Sequence, residues 1–430
     1  MRPTDLGYLS VLGSPMSATL SAPGYGAVLS APRARPVFIA SLVGRLSYST
    51  ISLALLFAVQ QATNSYIAAG AASAAFGAAT AVVAPARARL IDRCGPRLGL
   101  TVLAASYILF LGLLTVGCST HGTPAPVLVI LAVTAGLFPP PLGPIMRGLW
   151  AQMFPDPEMR QRAYSLDSVV EQVLYTIGPL LSGLLVTLAS PAWALSSTML
   201  LLALGATGMA ASPLCRSWDP SSSDPRTRAA TKPLRQPGFR PLLLVLVCLG
   251  TALGILDLGV VAFTQKHGAP ATAGLLLGLL SLGSVLGGLF YGHRSWRRSP
   301  ATRLMFITAP MSAVIAALAA APNPVALGVG LLVTGVFLSP AFITGYLLAD
   351  QLTPRDSRTE ASTWVNTANN GGAAAGTAIA GLLVDHAGTS TAFLVGGGVL
   401  MLGAGISAIQ RQQLRSRQVE RDLIPGPFAT

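Results

Sequence analysis

Charge is what this sequence is shortest of. Only 10% of its 430 residues are Asp, Glu, Lys or Arg, where soluble domains carry about 25%, so a water-facing surface over most of the chain is excluded. Acids are scarcer still, 15 against 28 Lys and Arg. In a soluble protein the resulting formal charge of +13 would suggest nucleic-acid binding; in a chain this apolar it reports basic loops facing an anionic membrane leaflet, and no nucleic-acid partner is expected. Cys94, Cys118, Cys215 and Cys248 stand far apart with no CxxC spacing, which argues against a disulfide framework or a zinc site. His121, His267, His293 and His386 are equally scattered. HExxH, GxGxxG and a Walker loop are all missing, and with them the grounds for expecting an enzyme, a metal or a cofactor. Residues 1–35 lack the basic start, short apolar core and cleavage site of a signal peptide. They read as a polar, Pro- and Gly-rich disordered cytosolic tail, in which Met16 is an alternative start to Met1.

What the chain has in abundance is apolar residues, 52%, gathered into twelve runs. These lie at about 37–60, 66–86, 98–118, 126–149, 163–189, 192–213, 241–264, 270–292, 302–321, 324–349, 362–385 and 388–409. Each is long enough for the roughly 20 residues that a helix needs to cross hydrocarbon. Backbone in lipid must satisfy its own hydrogen bonds, so the spans are expected to be helices and the fold an all-α membrane protein of twelve transmembrane helices. Counting loops from a cytosolic N-terminus puts Arg87, Arg89, Arg93, Arg97, Arg160, Arg162, Arg294, Arg297, Arg298, Arg303 and Arg358 on one side, and leaves only Lys266 as a fixed cation in the other loops. That asymmetry predicts a multi-pass cell-membrane protein with both termini cytosolic.

The two halves repeat. Gly136, Phe138, Pro141, Gln152 and Pro155 match Gly335, Phe337, Pro340, Gln351 and Pro354 at a constant offset of 199, and Gly178–Val186 matches Gly376–Val384 at 198. Between them, residues 214–240 hold Pro220, Ser221, Ser222, Ser223, Pro225 and Pro233 among charges, the composition of a solvated linker. The expected organisation is therefore two six-helix pseudo-repeats, 36–213 and 241–410, joined by the 214–240 linker and followed by a cytosolic tail, 411–430.

The segment Ala88–Arg97, ARLIDRCGPR, resembles the loop signature G-x-L-x-D-R-x-G-R-R/K of the major facilitator superfamily. Leu90, Asp92, Arg93, Gly95 and Arg97 match it, while Ala88 stands for its first Gly and Pro96 for one basic residue. The resemblance implies two parallel six-helix repeats, transport of a small molecule with protons in the bilayer, no cofactor, and a monomer. It also implies a charge relay of Asp92 with the arginines that holds a cytosolic gate. The equivalent loop Gly287–Arg298 has Gly292 where an acid would be expected. Gly178 and Pro179 resemble the end of the superfamily's antiporter motif G-x-x-x-G-P, whose earlier glycines are missing. The pattern as a whole is similar to efflux-type permeases of actinobacteria. Export is the expectation drawn from that likeness; uptake, or a sensor that transports nothing, are the alternatives.

Ionisable residues inside spans are expensive and are candidates for function. Arg45 and Glu171 both sit about eight residues into their spans, roughly 12 Å deep at 1.5 Å per residue, with opposite charge. They are expected to form a buried ion pair, either static or switched by a proton or substrate. Arg147 is placed to pair with Asp167. Asp257 lies nearer the far side of span seven, with a coupling role, an exposed vestibule position and a structural pairing all open. Gln172, Asn366, Asn369 and Asn370 are candidates for the substrate cavity, or for bonds between helices. Pro139, Pro140, Pro141 and Pro144 in span four and Pro340 in span ten should break or bend those helices. Glycines of spans two, five, eight and eleven, among them Gly70, Gly77, Gly178, Gly274, Gly278, Gly283, Gly287, Gly372 and Gly376, are expected to line the interface between the two halves.

Overall fold

The computed structural model describes residues 24–120, 122–217, 232–269 and 272–423. Most of the expected tail with Met16, most of the linker and the last seven residues lie outside that range. Long apolar helices dominate: α2 (Ala34–Thr63), α3 (Tyr66–Cys94), α4 (Pro96–Ser119), α7 (Pro157–Leu188), α8 (Pro191–Ala211), α10 (Phe239–Lys266), α11 (Ala273–His293), α12 (Pro300–Ala317), α13 (Pro324–Leu352) and α14 (Arg358–Leu423). Ten helices are long and apolar enough to cross a membrane. Two further crossings come from a divided fourth span and a doubled last helix, and no strand occurs among the described residues. The protein is an all-helical membrane protein of twelve spans.

Helix boundaries follow from capping chemistry. Asp156, Ser190, Ser299 and Asn323 each accept a hydrogen bond from a backbone N–H three residues on, and each is followed by a proline in the first helical position. That position has no intrahelical use for the N–H that proline lacks. At Gly388, φ of 82° interrupts α14. Before the break, Gly372 lies against Val247 and Gly376 against Thr251; after it, Phe393 meets Gly259, Gly396 meets Ile255 and Gly403 meets Cys248. The chain therefore runs along α10 in one direction, turns, and runs back along it.

The fourth span is two short helices, α5 (Ala125–Gly136) and α6 (Leu142–Met153). Gly136 O would normally accept from residue 140 and Pro140 O from residue 144, and both positions are prolines with no N–H to give. Other donors take their place. Thr80 Oγ1 at 3.1 Å and Arg87 Nη1 at 3.0 Å donate to Gly136 O, and Tyr48 OH donates to Pro140 O. Pro340 does not break its helix: α13 continues through it. The carbonyl it frees, Val336 O, lies where a Cβ on Gly287 of α11 would stand 2.0 Å away, so glycine lets the two backbones meet over the gap.

Most glycines expected between the halves lie elsewhere. Gly178 packs on Ser49, Gly283 on Leu332 and Gly287 on Val336, all within one half, while Gly70, Gly77, Gly274 and Gly278 face nothing within 4 Å. Those at the crossing are Gly288, against Val169, and Gly292, against Ser165. The acid missing from position 292 has no room: a Cβ there would lie 2.3 Å from Ser165 Oγ and 2.4 Å from Tyr25 OH.

Residues 24–33, expected in a disordered tail, are partly ordered. A short helix, α1 (Tyr25–Ser30), buries Val28 completely, and its Tyr25 OH donates to Leu289 O at 2.6 Å and lies 3.0 Å from Ser165 Oγ. The phenol has partners on both halves, and burial raises its pKa against smaller lowering effects of Ser165 and Arg162. At the other end of the chain α14 runs on to Leu423, past the expected end of its span at 409. A fourth short helix, α9 (Pro213–Arg216), follows α8 and buries Cys215, whose thiol is pushed up to about 12 by desolvation. That suits an inert packing residue.

Helices α2 and α8 meet backbone to backbone: a Cβ on Gly205 would meet Gly44 N and Cα at 2.3 Å and Ala40 O at 2.7 Å. Backbone cannot yield as a side chain can. Gly205→Leu is expected to cost about 1–3 kcal/mol or more by overpacking, read as a lowered melting temperature of the detergent-solubilised protein, whereas Gly70→Leu, in open space, should leave melting unchanged.

Candidate functional site

Four charges meet between α2, α6 and α7. Arg45 Nη1 lies 2.6 Å from Asp167 Oδ1 and its Nη2 2.7 Å from Glu171 Oε1. Arg147 repeats the pattern, Nε 3.0 Å from Asp167 Oδ2 and Nη2 2.5 Å from Glu171 Oε2. Each guanidinium thus bridges both carboxylates, and each carboxylate both guanidiniums. Asp167 and Glu171 are one helical turn apart, so α7 presents both on the same face. Gly143 leaves the space that Arg45 fills, since a Cβ there would stand 3.3 Å from its Nη2. Formal charge within the cluster is zero, which offsets much of the cost of burying its members. Access is unequal: the Asp167 side chain is 0% exposed and that of Glu171 23%.

The expected Arg45–Glu171 pair is therefore half of a larger network. Arg147 and Asp167 stand beside it, in contact with each other and, between them, with both members of the expected pair. Arg147 also lies 3.8 Å over the Tyr346 ring, whose OH donates to Asn366 Oδ1. Tyr346 brings α13 and α14 to the cluster and was absent from the sequence reading. Of the other cavity candidates, Gln172 donates to Ser281 Oγ at 3.0 Å and so joins α7 to α11. Asn369 donates to Asn370 Oδ1 at 3.4 Å, and its own Oδ1 is buried without a partner. Asp257 is exposed on α10, away from the cluster, with no hydrogen bond or ion pair among the described residues.

A second set of charges closes the end that carries the basic loops. Asp350 takes Arg160 from the other half and Arg358 at 2.6 Å. Arg89 Nε meets Glu360 Oε1 at 2.7 Å, and Asp92 Oδ2 accepts from Glu360 N at 2.9 Å. A carboxylate there faces the unsatisfied N–H groups and positive end of α14. Arg93 and Arg97 are exposed and, like Asp92, make no ion pair among the described residues, so the expected relay of Asp92 with the arginines is not formed; Arg89 pairs with Glu360 instead. Gly95 takes φ of 81° and its N–H caps Ile91 O, Ala88 is fully buried, and Leu90 is exposed. Nearer the middle, Ser165 donates to Gly288 O, Gln161 to Tyr291 O and Arg294 O, and Ser168 to Ser339. Every hydrogen bond between the halves among the described residues lies between this basic end and the level of Gln172.

The sequence profile of the Major Facilitator Superfamily matches residues 37–311 and 242–429. The chain belongs to this superfamily. No curated protein matches it by sequence. Solved structures of superfamily type do share its fold. The human organic anion transporter TETRAN is 15% identical with TM-score 0.70, covering 90% of this chain and 100% of its own. A bacterial homologue of the iron transporter ferroportin, outward-facing, is 13% identical with TM-score 0.71 over 88% and 99%. The E. coli fucose:proton symporter is 16% identical with TM-score 0.66 over 88% and 99%. At such identities the likeness concerns fold alone. This superfamily member is a transporter and not an enzyme; members take small-molecule substrates, often with protons, across a membrane.

Within the cluster, stranding a charge should cost more where water cannot reach it. Asp167→Asn is expected to destabilise the protein by about 3–5 kcal/mol, Glu171→Gln by less, and Arg45→Met with Glu171→Met by less than the sum of the two single changes. Melting curves of the five variants, the two single Met changes included, in one detergent measure this, and additive losses would mean that Arg45 and Glu171 act separately.

Proposed function

We propose that this superfamily member exports a small, moderately hydrophobic molecule across the cell's inner membrane in exchange for protons, and that Glu171 carries the proton. In this reading it is a monomeric antiporter of the actinobacterial efflux type. Bundles 36–213 and 241–410 rock about the 214–240 linker, and both termini are cytosolic. The observation that carries the reading is the unequal access to the charge cluster: Glu171 alone among its carboxylates is open, 23% against 0% for Asp167.

A proton on Glu171 removes one negative charge and leaves both guanidiniums on Asp167 alone. Its neighbours on α7 transmit the change, because Ser168 and Gln172, one turn and one residue away, bond Ser339 and Ser281 of the other half. Loosening α7 therefore loosens the contact between bundles. With the basic end cytosolic and closed by Asp92, Arg89, Glu360 and Asp350, the absence of bonds between the halves beyond Gln172 among the described residues supports an outward-facing state, in which a proton arrives from outside and substrate has left. Asp257 stands apart from these contacts, which supports a vestibule position over coupling. The predominantly apolar composition of the spans supports a moderately hydrophobic substrate over a sugar.

Inverted vesicles energised by a proton gradient and screened against metabolites and antibiotics test this directly. Accumulation inside such vesicles is expected, and movement only in the opposite sense would establish uptake. Glu171→Gln should abolish gradient-driven flux, by about 100-fold or more on the scale of a lost general acid–base group, while substrate-for-substrate exchange persists. Asp257→Asn should retain both. Gradient-driven flux that survives in Glu171→Gln and fails in Asp257→Asn would transfer the proton to Asp257.

The signature loop has its own expected outcome. Asp92→Asn loses the charge that faces the start of α14 and should abolish flux while melting changes by less than about 2 kcal/mol equivalent, the scale of one partly buried helix-end charge. Normal transport by a folded Asp92→Asn protein would remove the gating role.

A further inference from the structure

The transport reading leaves unused a cavity of about 580 Å³ between α11, α12 and α13 at the basic end. Four arginines surround it. Arg294, Arg297 and Arg298 project from the loop that follows α11, and Arg303 lies in the first turn of α12. None has an ion pair among the described residues, and the sequence contains no Asp or Glu between Asp257 and Asp350. Arg294 sits 5.3 Å over the Trp296 ring and Arg298 4.7 Å over Phe306, so both are held by aromatic faces with their N–H groups left to other acceptors. Arg303 is only 9% exposed; its Nη1 donates to Gln161 Oε1 and Tyr291 OH, each at 2.6 Å, while its buried Nε has no partner.

The rest of the cavity is apolar. Phe290 is 62% and Phe306 50% exposed, and Ile307 and Val336 continue the wall. It reaches Gly287, six residues before the end of α11, or about 9 Å below the loop at 1.5 Å per residue. Basic groups at the level of a membrane surface above an open greasy groove ask for a ligand with the same polarity along its length. A free anion would meet the arginines and leave the aromatic wall bare. An uncharged lipid would cover the wall and leave four cations uncompensated.

We propose that this cavity binds an anionic phospholipid of the surrounding bilayer, its phosphodiester held by Arg294, Arg297, Arg298 and the free Nε of Arg303, and an acyl chain laid along Phe290, Phe306, Ile307 and Val336.

Delipidated full-length protein in a mild detergent, titrated with phosphatidylglycerol, phosphatidylcholine or inorganic phosphate and read by native mass spectrometry, tests the assignment. Phosphatidylglycerol is expected to bind one site saturably and phosphatidylcholine at least about 10-fold more weakly, given roughly a fivefold effect for each surface arginine. Arg297→Gln with Arg298→Gln should weaken phosphatidylglycerol by about 10-fold or more and leave phosphatidylcholine unchanged; both residues are exposed, so the fold should tolerate the change. Ile307→Trp, which fills the groove without altering charge, should weaken phosphatidylglycerol as well. Equal affinity for the two lipids, or an unchanged phosphatidylglycerol affinity in the double variant, would overturn the proposal. So would displacement of phosphatidylglycerol by equimolar inorganic phosphate, which would make the site one for free anions.

Discussion

Two guanidinium groups enclosed between helices have no water to solvate them, and everything around Arg45 and Arg147 is arranged to supply carboxylate oxygens instead. Four oxygens from Asp167 and Glu171 meet four nitrogens at 2.5 to 3.0 Å. That requirement sets the register of α7 against α2 and α6, because the acids must lie one turn apart on a single face. It also explains why glycine stands at 143, where any side chain would crowd Arg45. A neutral cluster is stable as it is, and loses that balance with a single proton.

The second constraint is on the backbone. In hydrocarbon a carbonyl without a donor costs several kcal/mol, yet the fourth span places prolines where Gly136 and Pro140 would look for N–H groups. The break persists because Arg87, Thr80 and Tyr48 reach across from neighbouring helices to donate. Arg87 is thus a buried cation held by carbonyl groups, and its place in a basic loop by sequence count is only formal. The broken helix ends beside the cluster, and α6 begins afresh with the geometry that carries Arg147 inward.

Much of this was legible in the sequence. All twelve spans could be located because a lipid-crossing helix must be apolar along its whole length, and caps such as Ser190 with Pro191 mark where such runs stop. The depth argument found Arg45 and Glu171, and the proline run found the broken span. What the sequence concealed are contacts between distant segments. Asp350 looked like an ordinary residue at the end of a span, although it joins Arg160 to Arg358, and nothing local distinguishes Arg89, which meets Glu360, from Arg93, which is exposed. Glycine positions misled for a related reason: composition tells that a helix approaches something closely but not what it approaches. Gly283 and Gly287 serve α13 within their own half, and the crossing falls to Gly288 and Gly292. Tyr25 lay in a segment too polar and short to signal order, and it gains its place only from partners on two other helices.

The repeat also explains why the charges are gathered on one side. Tyr346 stands at the 199-residue offset from Arg147, and Asn369 at the 198-residue offset from Glu171. The second half therefore carries neutral residues where the first carries ions. Arg147 and Tyr346 are in contact, 3.8 Å from guanidinium carbon to ring centroid, and two repeat-equivalent residues can touch only near the axis that relates the repeats. The cluster accordingly lies beside the central axis, with its ions on one bundle and an aromatic face on the other. An aromatic face attracts a cation without an ionic bond and keeps that attraction when the ring slides or tilts. A second ion pair at that position would tie the bundles to each other with a desolvated charge on each side, and breaking it would strand both. With Tyr346 there, the first bundle keeps its charges balanced internally while the second moves past it, so the neutrality of the four ions within one bundle is what leaves the axis free to turn.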